Sequence, residues 1–167
     1  MRLMLTFIII YTLVFNHQYG LLIIDADKNR TTNLVVKIAD SEEERVKGLS
    51  GKKYLLPGFA MLFILDSQSK SGIWMKDMNF PIDIYWFKKG LTLDSYIKDI
   101  KPDTYPNVFY SQGNVLYVLE TNIGDMDKYK DLSLTKNLTI NLTYINKHDK
   151  NMEHIWQILQ HLLFHSK

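Results

Sequence analysis

Between Leu34 and Tyr144 the apolar residues fall into short runs, each closed by glycine, proline or a polar cluster. Leu34-Val35-Val36-Lys37-Ile38-Ala39 carries a β-branched run and predicts a strand. Ala60 to Leu65, Gly72 to Met75, Ile82 to Phe87, Leu91 to Ile97 and Val115 to Glu120 repeat that signal. Lys88-Lys89-Gly90 is short enough to make a hairpin of its two flanking runs. From Asn137 to Tyr144, Leu138, Ile140, Leu142 and Tyr144 alternate with Thr139, Asn141 and Thr143, the pattern of a half-exposed strand.

Helical signals are few. Ser41 followed by Glu44 has capping-box spacing, Glu42 to Glu44 suit the positive end of a helix dipole, and Gly48 or Gly51 can end the helix. Pro57-Gly58 marks a turn, and Asp66 to Ser71 reads as a polar loop. Lys101 to Asn114 contains Pro102, Pro106 and Gly113 and reads as a long loop, a kind of segment that often carries function. Gly124 to Lys130 suits one or two helical turns. The period changes near the end, where Ile155, Ile158, Leu159, Leu162 and Leu163 share one helical face. The pattern predicts a mainly β (α+β) domain over 34–146. Its form is a compact β-sandwich or barrel-like sheet with short helices, followed by an added C-terminal helix within 147–167.

The N-terminus has a different texture. Met1-Arg2 is followed by Leu3 to Phe15, apolar apart from Thr6 and Thr12 and free of charge. A run of about 13 residues suits the core of a signal peptide, since a spanning helix needs about 20. Residues 1–20 are therefore expected to be a signal peptide or, if uncleaved, a membrane anchor, with 21–33 as a linker. The expected location is extracytoplasmic, periplasmic or secreted, with membrane contact only through that segment.

Composition narrows the chemistry. A chain of 167 residues fits one domain with appendages. The net charge of +2 is small, and the lysines are interleaved with Asp and Glu, so no nucleic-acid partner is expected. There is no cysteine, which removes disulfides, thiol catalysis, thiolate metal sites and a lipid-modified cysteine. Neither Gly-x-Ser-x-Gly nor a phosphate-binding glycine loop is present.

Several pieces then line up in order: Val36-x-Ile38-Ala39-Asp40, Glu44-Arg45-x-x-Gly48-Leu49, Met61-Leu62-Phe63, Trp74-Met75-Lys76, Pro81-Ile82-Asp83, Tyr110-Ser111 and Val118-Leu119-Glu120-x-Asn122-x-Gly124. This set, spanning roughly Leu34 to Leu142, resembles the family called domain of unknown function 192, small bacterial and archaeal proteins that often carry an export signal. The resemblance implies a compact, mainly β fold and supplies no activity. Asp77 and Met78 depart from the Asn and Thr common at those positions. The 151–165 segment lies outside the resemblance, and the cysteines of some relatives are missing.

Candidate site residues sit inside these pieces. In a strand, Trp74 and Lys76 share one face, with Ile73 and Met75 on the other. A Trp face suits a sugar ring or a cation, although Trp74 as core with Lys76 snorkelling past it explains the same pattern. Asp83 interrupts an apolar strand and needs a partner, either a structural one or a ligand. Glu120 closes another strand, and with Asp83 it offers the carboxylate pair of a glycoside hydrolase, provided the two lie roughly 5–10 Å apart. Arg45, one of three arginines, suits bidentate carboxylate binding or simple pairing on its helix. Tyr110 lies in the long loop. His161 and His165 have i, i+4 spacing, but no acidic residue supports them, so no metal and no cofactor are expected.

The reading that follows is an exported binding or accessory module for a small-molecule, glycan or cell-envelope ligand. Trp74, Lys76, Asp83, Tyr110, Glu120 and Arg45 are its candidate contacts. The alternatives are a hydrolase using Asp83 and Glu120, and an interaction protein that docks or self-associates through the 151–165 helix.

Overall fold

The strand expected at Leu34 begins further back, at Arg30. The structure, a computed structural model, describes residues 19–26, 30–126 and 138–144, with side chains from 34 to 126. In it β1 (Tyr19–Ala26) and β2 (Arg30–Ala39) form an antiparallel pair, in register from Tyr19 opposite Lys37 to Ala26 opposite Arg30. Within the 21–33 span expected as a linker, residues 21–26 and 30–33 are thus strand. Leu21 to Ile24 make an apolar run suited to a strand, and they pair with Val35 to Thr32 of β2. Residues 1–18, where the signal peptide or anchor is expected, lie outside the described residues, as does the 151–165 helix.

The remaining strands are β3 (Phe59–Ser69), β4 (Gly72–Trp74), β5 (Ile82–Phe87), β6 (Leu93–Ile100), β7 (Val108–Tyr110), β8 (Val115–Thr121) and β9 (Leu138–Tyr144). Seven of the nine form one sheet in the order β6-β5-β8-β3-β2-β1-β9. All its pairs are antiparallel except β2 with β3, so the sheet is mixed. β6 and β9 remain as its two edges; the architecture is open, not the closed barrel that was one expectation. β4 and β7 make a separate two-stranded ribbon.

Two local differences from the sequence reading have physical causes. The polar stretch from Asp66 to Ser69 continues β3, because its backbone still pairs, past an irregularity, with Val115 of β8. The long loop contains a 3-10 turn at Pro102–Thr104 and all of β7. Val108-Phe109-Tyr110 is a strong strand former, but its proline and glycine neighbours hide it in a sequence window.

A parallel neighbour cannot be reached by a tight hairpin, so the chain crosses over one face between β2 and β3. The crossover carries α1 (Glu42–Lys47). Its capping box forms as the spacing requires. Ser41 Oγ accepts from the Glu44 N–H at 3.3 Å, and the Glu44 carboxylate accepts from the Ser41 N–H at 3.4 Å and from Ser41 Oγ at 2.9 Å. These bonds, led by the one from the Ser41 side chain, hold Glu44 below its ordinary pKa. Gly48 ends the helix at φ +49°, and its N–H bonds the Glu44 carbonyl at 2.8 Å.

The centre of the sheet is buried on both sides. Every residue of β5 from Ile82 to Phe87 is buried. On one face Val36, Ile38, Leu62, Tyr85, Phe87 and Leu119 pack together. On the other, Met61, Phe63, Ile82, Ile84, Trp86 and Val118 do so. The inward residues of the ribbon, Ile73 and Phe109, also pack on this second face. The second face thus carries both α1 and the ribbon, and the gap between them is the site.

A cleft between the crossover helix and the ribbon

α1 and β4 stand apart over β3 and β8, leaving a cleft of about 310 Å³. That volume is at the lower end of small-molecule sites. α1 and the turn after it supply one wall, with Arg45, Lys47 and Leu49; Gly72 to Trp74 supply the opposite one. Phe63, Val118 and Glu120 form the floor.

Glu120 is the unusual member. Strand alternation turns it to the same face as Val118, and it is only 5% exposed. No hydrogen bond or ion pair to its carboxyl occurs among the described residues, and burial raises its pKa from 4.5 to about 8. At neutral pH it is a neutral acid that offers one donor and an acceptor to the cleft. Trp86 lies on the same face of the neighbouring strand, opposite Val118 while Ile84 is opposite Glu120. Its indole N–H is buried and unpartnered. An orphaned buried donor costs about 1–3 kcal/mol; Trp86 itself does not line the cleft, so Glu120 is the polar group there that the described residues leave unsatisfied.

Arg45 borders the cleft, but its guanidinium is engaged. Nη1 donates to the Asp40 carbonyl and, at 2.9 Å, to the Ile64 carbonyl; Nη2 pairs with Asp66 at 2.6 Å. Arg45 therefore clamps α1 to β3. This is a structural role, with a partner carboxylate on β3 and not on its own helix, and the sequence did not reveal its carbonyl partners.

Trp74 forms the rim and is 47% exposed. The Lys76 ammonium lies 5.7 Å from the centre of its ring, and Tyr105 meets it edge-on at 6.2 Å. Asp77 follows in the left-handed region at φ 57°, which Asp tolerates about as Asn does, so its departure from the family habit leaves the turn intact. Opposite Gly72 in the ribbon is Tyr110, whose ring leans over the glycine: a Cβ there would come within 2.6 Å of it. Tyr110 is 61% exposed and does not line the cleft.

Asp83 is elsewhere. It projects from the opposite face, fully buried, where Oδ1 accepts from the Asp99 N–H at 2.8 Å and Oδ2 from the Gly124 N–H at 3.0 Å. The Tyr85 hydroxyl adds a longer bond at 3.4 Å. Asp83 and Glu120 therefore do not meet in one cleft, and the two-carboxylate arrangement required of a glycoside hydrolase is not formed. Arg45, Trp74 and Glu120 come together, with Lys76 beside Trp74; Tyr110 is on the adjoining ribbon and Asp83 is separate. The sequence reading missed Tyr105, Gly72 and Asp66. Only Gly72 left a trace, as a glycine at the head of an apolar strand. No group of three or more His, Cys, Asp or Glu able to hold a metal occurs among the described residues, and His161 and His165 lie outside them.

The profile of DUF192, described as "Uncharacterized ACR", matches residues 23–132. The chain belongs to this family. Among curated proteins nothing matches. Two solved structures share the DUF192 chain's fold. One is from Sinorhizobium meliloti and is named provisionally as a transcription regulator. It has 23% identity and a TM-score of 0.65, with 74% of this chain and 93% of that one covered. The other is a protein of unknown function from Novosphingobium aromaticivorans, with 18% identity and a TM-score of 0.60, covering 74% and 84%. At such identities the likeness speaks for the fold alone.

Proposed function

We propose that this DUF192 protein is an exported binding module that holds a small polar ligand, of carbohydrate or cell-envelope origin, in the cleft between α1 and the ribbon. The observation that carries this reading is Glu120, a buried carboxyl without a partner among the described residues, at the floor of an open cleft. A group that the fold leaves unsatisfied gains most from a ligand that satisfies it. Trp74 at the rim supports a ring-shaped ligand, since an exposed indole offers an apolar face for stacking. Asp83, the expected second carboxylate, projects from the opposite face of the sheet and is bonded there by backbone N–H groups, which favours binding over hydrolysis by that pair. Export rests on the charge-free run from Leu3 to Phe15. The regulator name of the Sinorhizobium protein is not carried over, since the charge of +2 offers little to a phosphate backbone.

Saturation-transfer NMR of the full chain with cell-envelope glycan fragments tests the reading. Ligand signals that are lost in Trp74→Ala and weakened in Glu120→Gln support it. No transfer to wild type, or equal transfer to Trp74→Ala, overturns it.

A further inference from the structure

Resting on that reading of the cleft, we infer that its ligand carries a protonated amine, which pairs with Glu120 while the ligand's body lies against Trp74. The argument begins with the charges around the cleft. α1 contributes Glu42, Arg45 and Lys47 to its walls, whereas β3 and β4 contribute none. β5 faces this side with Ile82, Ile84 and Trp86, and β8 adds only Glu120. Arg45 is already paired with Asp66. Lys47 stands on the same wall as Glu42, and no ion pair or hydrogen bond joins it, or any other cation, to Glu120 among the described residues.

A buried carboxylate needs a cation, and the described residues place none in an ion pair with this one. A ligand ammonium supplies it. The rim is suited to the ligand's body, for Trp74 is 47% exposed and offers an apolar ring surface beside the cleft. A cleft of about 310 Å³ accommodates a single six-membered ring bearing the amine.

Binding then moves a proton. The free Glu120 carboxyl is protonated at neutral pH. When the ammonium docks, the carboxyl releases its proton to solvent and becomes the carboxylate of an ion pair, while the ligand keeps its own proton. Affinity consequently falls about tenfold for each unit of pH lowered below 7.

Isothermal titration of the full chain at pH 6.5, in two buffers of different ionisation enthalpy, distinguishes the outcomes. The probes are methyl glucosaminide and cyclohexylamine, with methyl glucoside and cyclohexanol as uncharged counterparts. We expect the amines to bind at least about tenfold more tightly than their counterparts. Close to one proton should be released per ligand, a release that Glu120→Gln abolishes. Preference between the two amines separates an amino sugar from an apolar amine as the source. Uncharged probes binding as tightly as the amines, without proton release, overturn the amine inference and leave the cleft reading standing. If none of the four binds, both fall.

Discussion

Asp83 of β5 and Glu120 of β8 lie one register step apart on neighbouring strands, yet their carboxyl groups project to opposite faces of the sheet. One is met by two backbone N–H groups and the other by nothing that the described chain provides. Two buried acids of similar sequence setting thus have opposite tasks: Asp83 ties loops down, and Glu120 waits in a cleft.

Removing the Asp83 charge should damage the fold and spare the cleft. In Asp83→Asn a single carbonyl oxygen remains, and the amide faces an N–H donor that it cannot bond. A loss of about 2–3 kcal/mol is expected by urea denaturation, with the binding affinity of the surviving folded protein unchanged. A loss below about 0.5 kcal/mol would show that the Asp99 and Gly124 contacts are dispensable.

Glu120 gives stability an uncommon pH dependence. The folded chain keeps this proton up to about pH 8, whereas an unfolded glutamic acid gives it up near its ordinary 4.5. Between those values the folded state binds the extra proton, so raising the pH favours unfolding. Through this group stability is full below about pH 4.5 and is lost progressively toward pH 8, by up to a few kcal/mol. Asp125, raised chiefly by burial, adds a slope of the same sign. Denaturation midpoints at pH 5, 6.5 and 8 should fall for wild type and fall much less for Glu120→Gln. Parallel curves for the two proteins would contradict this.

Arg45 and Asp66 are bonded to each other but should not be equally important. The Asp66 side chain is 81% exposed and that of Arg45 only 16%. An exposed partner contributes little beyond its screened ion pair, about 0–1 kcal/mol. Arg45 also satisfies the Asp40 and Ile64 carbonyls. We expect Arg45→Ala to cost about 2 kcal/mol and to loosen α1, while Asp66→Ala costs less than about half as much. Thermal denaturation gives the order, and amide exchange in α1 reports the loosening.

The ribbon depends on an absent side chain. Adding a methyl group at Gly72 puts a carbon 2.6 Å from the Tyr110 ring and 2.8 Å from Val108, so one of them must move. Gly72→Ala should cost about 1–2 kcal/mol. Combining it with Tyr110→Ala should recover part of that cost, because the clash is then partly removed. Simple additivity in the double mutant would refute the contact.

Much of the sheet was legible because β2, β3, β5 and β8 are apolar on both faces, and such runs declare themselves without reference to neighbours. β1 and β7 were not. β1 follows the apolar N-terminal run after only Asn16, His17 and Gln18, which draws it into the reading of that run, and β7 is three residues long between turn formers. For short segments, pairing partners decide strand formation, and those partners are remote in sequence. The site was legible in composition but not in arrangement. Trp74, Arg45 and Glu120 each stood out, yet one register step separates Glu120 from the face of Asp83, and register is fixed by partner strands that the sequence does not name.

The parallel pairing of β2 with β3 has a consequence for how such a protein diversifies. The six-residue α1 contributes no ladder to the sheet, yet it forms one wall of the cleft. One wall of the cleft is thus written on a stretch that carries no strand, while Glu120 and Trp74 belong to strands. Glu42, Val46 and Lys47 can be exchanged without altering a single strand-to-strand bond. Chains built on this frame are free to keep one skeleton and reshape one wall of the cleft by rewriting a single turn and a half of helix.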